Sequence, residues 1–197
     1  SLESAWASDS KDASLAPWLI WCSRGLGDRE MGNRVFAEAV RRAPELRAVY
    51  SSMMLSHASK WGGSDEQSLA FAREVIAESP LAGGAAVCLV EAHEYVYEQI
   101  APFTDQKKAY WLAPQVRSDV VSADDVCARG GLTGMNGVRV RHWLAYGLWR
   151  VGEHGRAKVH FLELGKVPND RPWGGFRRGF NWLLSPYPKA RRVCLRA

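Results

Sequence analysis

The sequence predicts an all-α chain, an irregular stack of antiparallel helical hairpins, and three observations lead there. Phe36, Ala39 and Pro44 close one helix-like apolar pattern, and Ala72, Val75 and Pro80 close a second at the same offsets, with the prolines 36 residues apart. That is the period of a helical-hairpin repeat, whose units cannot bury their apolar faces alone and so must stack. Apolar residues recur at helical spacing along most of the chain, and no strand-like alternation of useful length appears. With 47% hydrophobic and 24% charged residues, 197 residues suffice for one soluble core.

The elements follow in order. Pro17 to Leu26 is apolar and is followed by a turn at Gly25 to Asp28; Arg29 to Ala43 then carries Met31, Val35, Phe36, Ala39 and Val40 at helical spacing. Pro44 suits the first turn of a third helix, which runs through Leu46, Val49, Tyr50, Met53, Met54 and Leu55 to about Ser59. Trp61-Gly62-Gly63 breaks the pattern, and Ser64 with Asp65, Glu66 and Gln67 reads as a helix cap opening a helix through Leu69, Phe71, Ala72, Val75 and Ile76. Gly83-Gly84 opens the next helix, from Ala85 to about Ile100, and Pro102 closes it. A helix is expected from Pro114 to Ser122, then a glycine-rich loop from Ala128 to Gly137. Val138 to Arg150 and Gly155 to Leu164 form a last hairpin around the turn Gly152 to Gly155. Pro172, Pro186 and Pro188 argue against a long helix at the end, although Phe176 to Leu184 suits a short one. Residues 1–14 therefore read as a flexible N-terminal segment, 15–168 as the helical-repeat domain and 169–197 as a basic, Pro-containing segment packed on or trailing the last hairpin.

At these positions the chain resembles the tetratricopeptide superfamily. Leu144, Ala145, Ala157 and Phe161 match its pattern most closely, followed by Leu19, Gly32, Phe36, Ala39 and Pro44; the second unit keeps Leu55, Ala72 and Pro80 but has Ser68 at a small packing position. Lys60-Trp61-Gly62-Gly63-Ser64 with Leu69-Ala70-Phe71-Ala72-Arg73 is also similar to an uncharacterised bacterial domain family with a Trp-Gly-Gly-Ser turn. The resemblance implies a tetratricopeptide-like stack and no particular activity.

Composition narrows the chemistry. No run of about 18 apolar residues is present, and Ser1 to Ser14 is polar, so neither a membrane span nor a signal peptide is read. Cys22, Cys88, Cys127 and Cys194 are widely spaced and suit buried free thiols in a reducing cytoplasm. The five histidines lack metal-ligand spacing, and His93-Glu94 has no second histidine four residues on. No nucleotide loop or nucleophile elbow is present, and Asp124-Asp125 reads as a solvated turn or helix cap. No enzyme, cofactor or metal is expected. Trp18, Trp21, Trp143 and Trp149 lie on helices where packing explains them, whereas Trp61 and Trp173 sit beside glycines and suit partial exposure.

The expected function is a non-enzymatic helical-repeat module that binds a protein or peptide, including an acidic one, through a concave groove. By the tetratricopeptide register its partner-binding positions are Tyr50, Met53, His57 and Lys60, then Arg139, His142, Tyr146 and Arg150. The alternative is nucleic-acid binding by the basic tail, which holds eight basic residues against one acid from Lys166 onward, through Arg177, Arg178, Trp182, Arg191 and Arg192. A second alternative is an immunity or inhibitor protein for a toxin or effector.

Overall fold

The first helix, α1 (Ala16–Leu26), takes Pro17 in its first turn, and Gly27 ends it at φ 72°, a left-handed conformation that glycine adopts without steric cost. The computed structural model describes residues 4, 6, 12–78, 83–130, 134–166, 170–174 and 185–197. Pro80, Pro168, the expected helix from Phe176 to Leu184 and most of the N-terminal segment 1–14 lie outside the described residues. Helix α2 (Arg29–Arg42) is capped by Asp28, whose carboxylate accepts the Met31 N–H at 2.8 Å. Helix α3 (Arg47–Ser56) begins later than expected. Pro44 sits in the turn before it, because its carbonyl is taken by the Tyr50 hydroxyl at 2.7 Å and a turn from Ala43 to Leu46 redirects the chain.

A 3-10 turn, Ser59–Trp61, then leads to Gly62 at φ 81° and to α4 (Asp65–Glu78). Ser64 acts as expected, its hydroxyl accepting the Gln67 N–H at 3.2 Å. Helix α5 (Gly83–Gln99) is buried along most of its length. The short α6 (Asp105–Ala109), capped by Thr104, and a second 3-10 turn, Tyr110–Leu112, connect it to α7 (Pro114–Gly130).

Helix α7 continues eight residues past the expected end, because Ala123, Asp124, Val126 and Cys127 are all buried. With α8 (Gly134–Arg150) starting at Gly134, both helices enter the segment expected to be a glycine-rich loop. Gly152 at φ 82° then turns the chain into α9 (His154–Leu164). The short α10 (Asp170–Trp173) precedes α11 (Tyr187–Arg196), a ten-residue helix in the segment where the prolines argue only against a long one. Pro188 falls in its first turn, where no N–H is needed.

Among the described residues there are only helices and turns, without strands. Helix α1 packs on α2, α3 on α4, α5 on α4 and α7, and α8 on α9. The first members also meet one another in order: α1 contacts α3, α3 contacts α5 and α5 contacts α8. Helix α11 lies on α9, burying Tyr187, Ala190 and Cys194. Two apolar clusters result, one among α1 to α3 around Leu19, Ile20 and Val49, the other from α3 to α11 around Leu89, Leu144 and Phe161. No helix among the described residues is long and apolar enough to cross a membrane.

Candidate functional site

The order of contacts puts α3, α5 and α8 side by side, and a cleft of about 640 Å³ lies on them, with Arg171 and Pro172 of α10 also lining it. Helix α3 contributes Arg47, Ser51 and Leu55; α8 contributes Arg139 and Trp143. Helix α5 brings Glu91, Glu94, Tyr95 and Glu98. Residues 91, 94 and 98 follow i, i+3, i+7, so three carboxylates share one face of a largely buried helix.

The three carboxylates differ in their partners. Glu91 is buried and closely held by the Arg47 guanidinium and the Ser51 hydroxyl. Glu94 accepts the Tyr146 hydroxyl at 2.7 Å, and that oxygen in turn accepts from Arg150 at 2.7 Å. Burial raises the Glu94 pKa, while the Tyr146 hydrogen bond and the nearby Arg150 oppose the shift. Glu98 has no hydrogen bond or ion pair within 4 Å among the described residues; burial raises it too, with Arg171 and Lys107 pulling it down. Near Tyr95, Arg24 stacks over Trp61 at 4.8 Å, with Nε and Nη1 buried and without a hydrogen-bond partner among the described residues.

Of the expected groove residues, only Arg139 lines this cleft. Tyr50 is fully buried, Met53 is 5% exposed and belongs to the first core cluster, and Tyr146 is 3% exposed among Trp111, Trp143 and Trp173. His142 is also buried: Trp173 Nε1 donates to its Nδ1 at 3.0 Å, and burial lowers its pKa to about 4. Arg150 lies over the rings of Tyr97 and Trp111 at 4.4 and 4.9 Å, as a strut rather than a free contact. His57 stacks on Phe71 at 5.0 Å, with its pKa lowered by burial and by Arg29, and the exposed Lys60 lies over Trp61 at 5.4 Å. Tyr50, Met53, His142 and Tyr146, half of the eight expected positions, are core because this chain uses those side chains for packing between helices.

The tail divides. Arg177, Arg178 and Trp182 lie outside the described residues. Arg192 is exposed on α11, and Arg191 is partly buried with Nε lacking a hydrogen-bond partner among the described residues. Trp173, expected to be partly exposed, is 2% exposed because it packs on Tyr146, Phe161 and Tyr187. Trp18 and Trp21, expected in the core, are instead 59% and 53% exposed, because α1 buries its Leu19, Ile20 and Ser23 face.

Two further polar networks lie away from the cleft. Asp119 receives Arg73 at 2.7 Å, His93 Nε2 at 3.0 Å and, on its other oxygen, Gln115 at 2.9 Å, while His93 Nδ1 meets the Tyr110 hydroxyl at 2.9 Å. Burial would raise the Asp119 carboxyl, but these bonds outweigh it and hold the pKa at about 2. The resulting chain of hydrogen bonds ties α4, α5 and α7 together. Asp124, expected in a solvated turn, is buried on α7, where it accepts from Arg156 at 2.8 Å and pairs with His160 Nε2 at 2.8 Å, fastening α7 to α9.

All four cysteines are free thiols; Cys88, Cys127 and Cys194 are buried, and burial raises the latter two to about 12 and about 11. No group of three metal-ligating side chains occurs among the described residues. The chain matches no protein-family model, no curated protein and no solved structure.

Proposed function

We propose that the protein is a tetratricopeptide-like helical-repeat module that binds a peptide segment of a partner protein in the cleft across α3, α5 and α8. The observation that carries this reading is the cleft's position on the first helices of successive pairs, the face that stacked hairpins turn inward to form a binding surface. A volume of about 640 Å³ suits a short stretch of peptide, and Tyr95 and Trp143 supply aromatic area beside charged donors and acceptors. The free thiols fit a reducing compartment, the cytoplasm.

The test is selection of a random peptide library of about twelve residues on the purified protein. Enriched peptides should bind the native chain, and Tyr95→Ala with Arg139→Glu should weaken them at least about tenfold without lowering Tm. Equal binding by the well-folded double variant, or no enrichment at all, refutes the groove.

A second reading rests on α11. Its exposed side carries Lys189, Arg192 and Arg196 opposite the buried Tyr187, Ala190 and Cys194, a basic face suited to phosphates. No gel shift of mixed-sequence RNA or DNA at micromolar protein and low salt removes it.

A further inference from the structure

Helix α1 stands first in the order of neighbours and keeps one side turned to solvent. It packs on α2 and α3 through Leu19, Ile20 and Ser23, and the opposite side carries Trp18, Trp21 and Gly25. The two tryptophans are 59% and 53% exposed, with their rings edge to face at 6.1 Å. At about 250 Å² per side chain they leave about 280 Å² of aromatic surface in water. Exposed apolar surface of this extent, on one helix side, marks a contact surface. The one charged residue of α1, Arg24, has its guanidinium over Trp61 at 4.8 Å, so the side with the tryptophans carries no charge.

Gly25 is an independent observation on the same side. It lies two turns beyond Trp18, about 10 Å along the helix, and residues seven apart share a face. A Cβ at Gly25 would meet nothing within 4 Å, and its φ is not in the left-handed region, so the fold of one chain does not require glycine there. Glycine weakens a helix relative to alanine, and its use at a contact is to let another group come close to the backbone. An exposed ring and an open seat thus lie on one helix, which makes this surface self-complementary. Two antiparallel copies of α1, related by a two-fold axis passing between Trp21 and Cys22, place each Trp18 opposite Gly25 of the other copy.

We propose that α1 is the contact surface for a second copy of this chain, the two α1 helices lying antiparallel so that each Trp18 seats over Gly25 of the other copy. The two-fold axis also brings the two Trp21 rings together on one flank and the two Cys22 thiols together on the other. Helices of this length bury less than about 1,200 Å² in all, so the dimer is reversible, with Kd on the order of 10 µM.

The test is sedimentation equilibrium of the intact chain from about 1 to about 200 µM, where a monomer–dimer equilibrium is expected. Gly25→Leu fills open space in one chain and Trp18→Ser lies at an exposed site, so both variants should fold with unchanged Tm at low concentration. Each should weaken the dimer at least about tenfold. The thiols give a second readout, because Cys22 is the one cysteine of the four that is not buried. A short bismaleimide should join two chains through Cys22; the product should be absent in Cys22→Ser and should fall in Gly25→Leu. A monomer throughout the concentration range, a dimer that both variants leave intact, or assembly that continues past the dimer would overturn the proposal. A dimer that is weakened by both variants but never linked through Cys22 would refute the antiparallel pairing.

Discussion

At the scale of single residues, burial decides which polar groups are structural. His142 shows this best, because its Nδ1 accepts the Trp173 indole N–H and so must be unprotonated in the native state. Its pKa falls from the ordinary 6.5 to about 4 because the imidazolium would be desolvated there. A histidine depressed in the folded state contributes stability that is fully present above the unfolded pKa and is lost as pH falls through the folded value. Urea midpoints of the wild type should therefore decline between pH 6.5 and about 4. His142→Gln, which presents an amide acceptor without a titrating group, should be less steep over that window. Parallel pH profiles for the two proteins would show that another group carries the loss. Asp119 titrates lower, towards about 2, so its contribution falls outside this range.

Helices and turns were more legible in the sequence than side-chain roles were. The cap at Ser64 and the turns at Gly25 to Asp28 and around Gly152 follow from residue chemistry within a few positions, so local reading found them, although the capping role of Asp28 itself was not read. Helix ends that depend on distant partners were missed. Helix α7 runs through Asp124-Asp125 because Arg156 and His160 on α9 neutralise and bond that carboxylate pair, a pairing across more than thirty residues that no local pattern contains. Gly84 belongs to the same class. A Cβ there would lie 2.8 Å from the Glu45 carbonyl and 2.9 Å from the Arg47 amide, so glycine lets α5 approach the start of α3. In a free helix Gly→Ala is favourable by about 1 kcal/mol. Gly84→Ala should instead destabilise the protein by about 1–3 kcal/mol through backbone overpacking, read as a lower urea midpoint at unchanged m-value. A stabilised variant would mean that α5 does not need this close approach.

Across the whole molecule, α11 and α10 close the end of the helix stack through one aromatic group. Tyr187 is 1% exposed, donates to the Gly165 carbonyl at 3.0 Å, and has its ring 5.0 Å from Trp173 and 5.4 Å from Phe161. Tyr187→Ala should cost about 3–5 kcal/mol, and Cys194 should become reactive to a thiol reagent below the main thermal transition. If Cys194 stays protected until the molecule melts, α11 is held by other contacts. Apolar periodicity, glycine turns and caps by themselves determined an all-helical chain and the approximate place of most helices, because those signals act over a few residues. The expectation of a groove on the first helices of successive pairs came from the tetratricopeptide resemblance and not from these local signals. Which side chains line the cleft was decided only by tertiary structure: packing and burial turned Tyr50, His142 and Tyr146 into core, and left Glu94 and Glu98 of the nearly buried α5 lining the cleft. The register of a helix tells which residues share a face, and only its neighbours determine which face meets solvent.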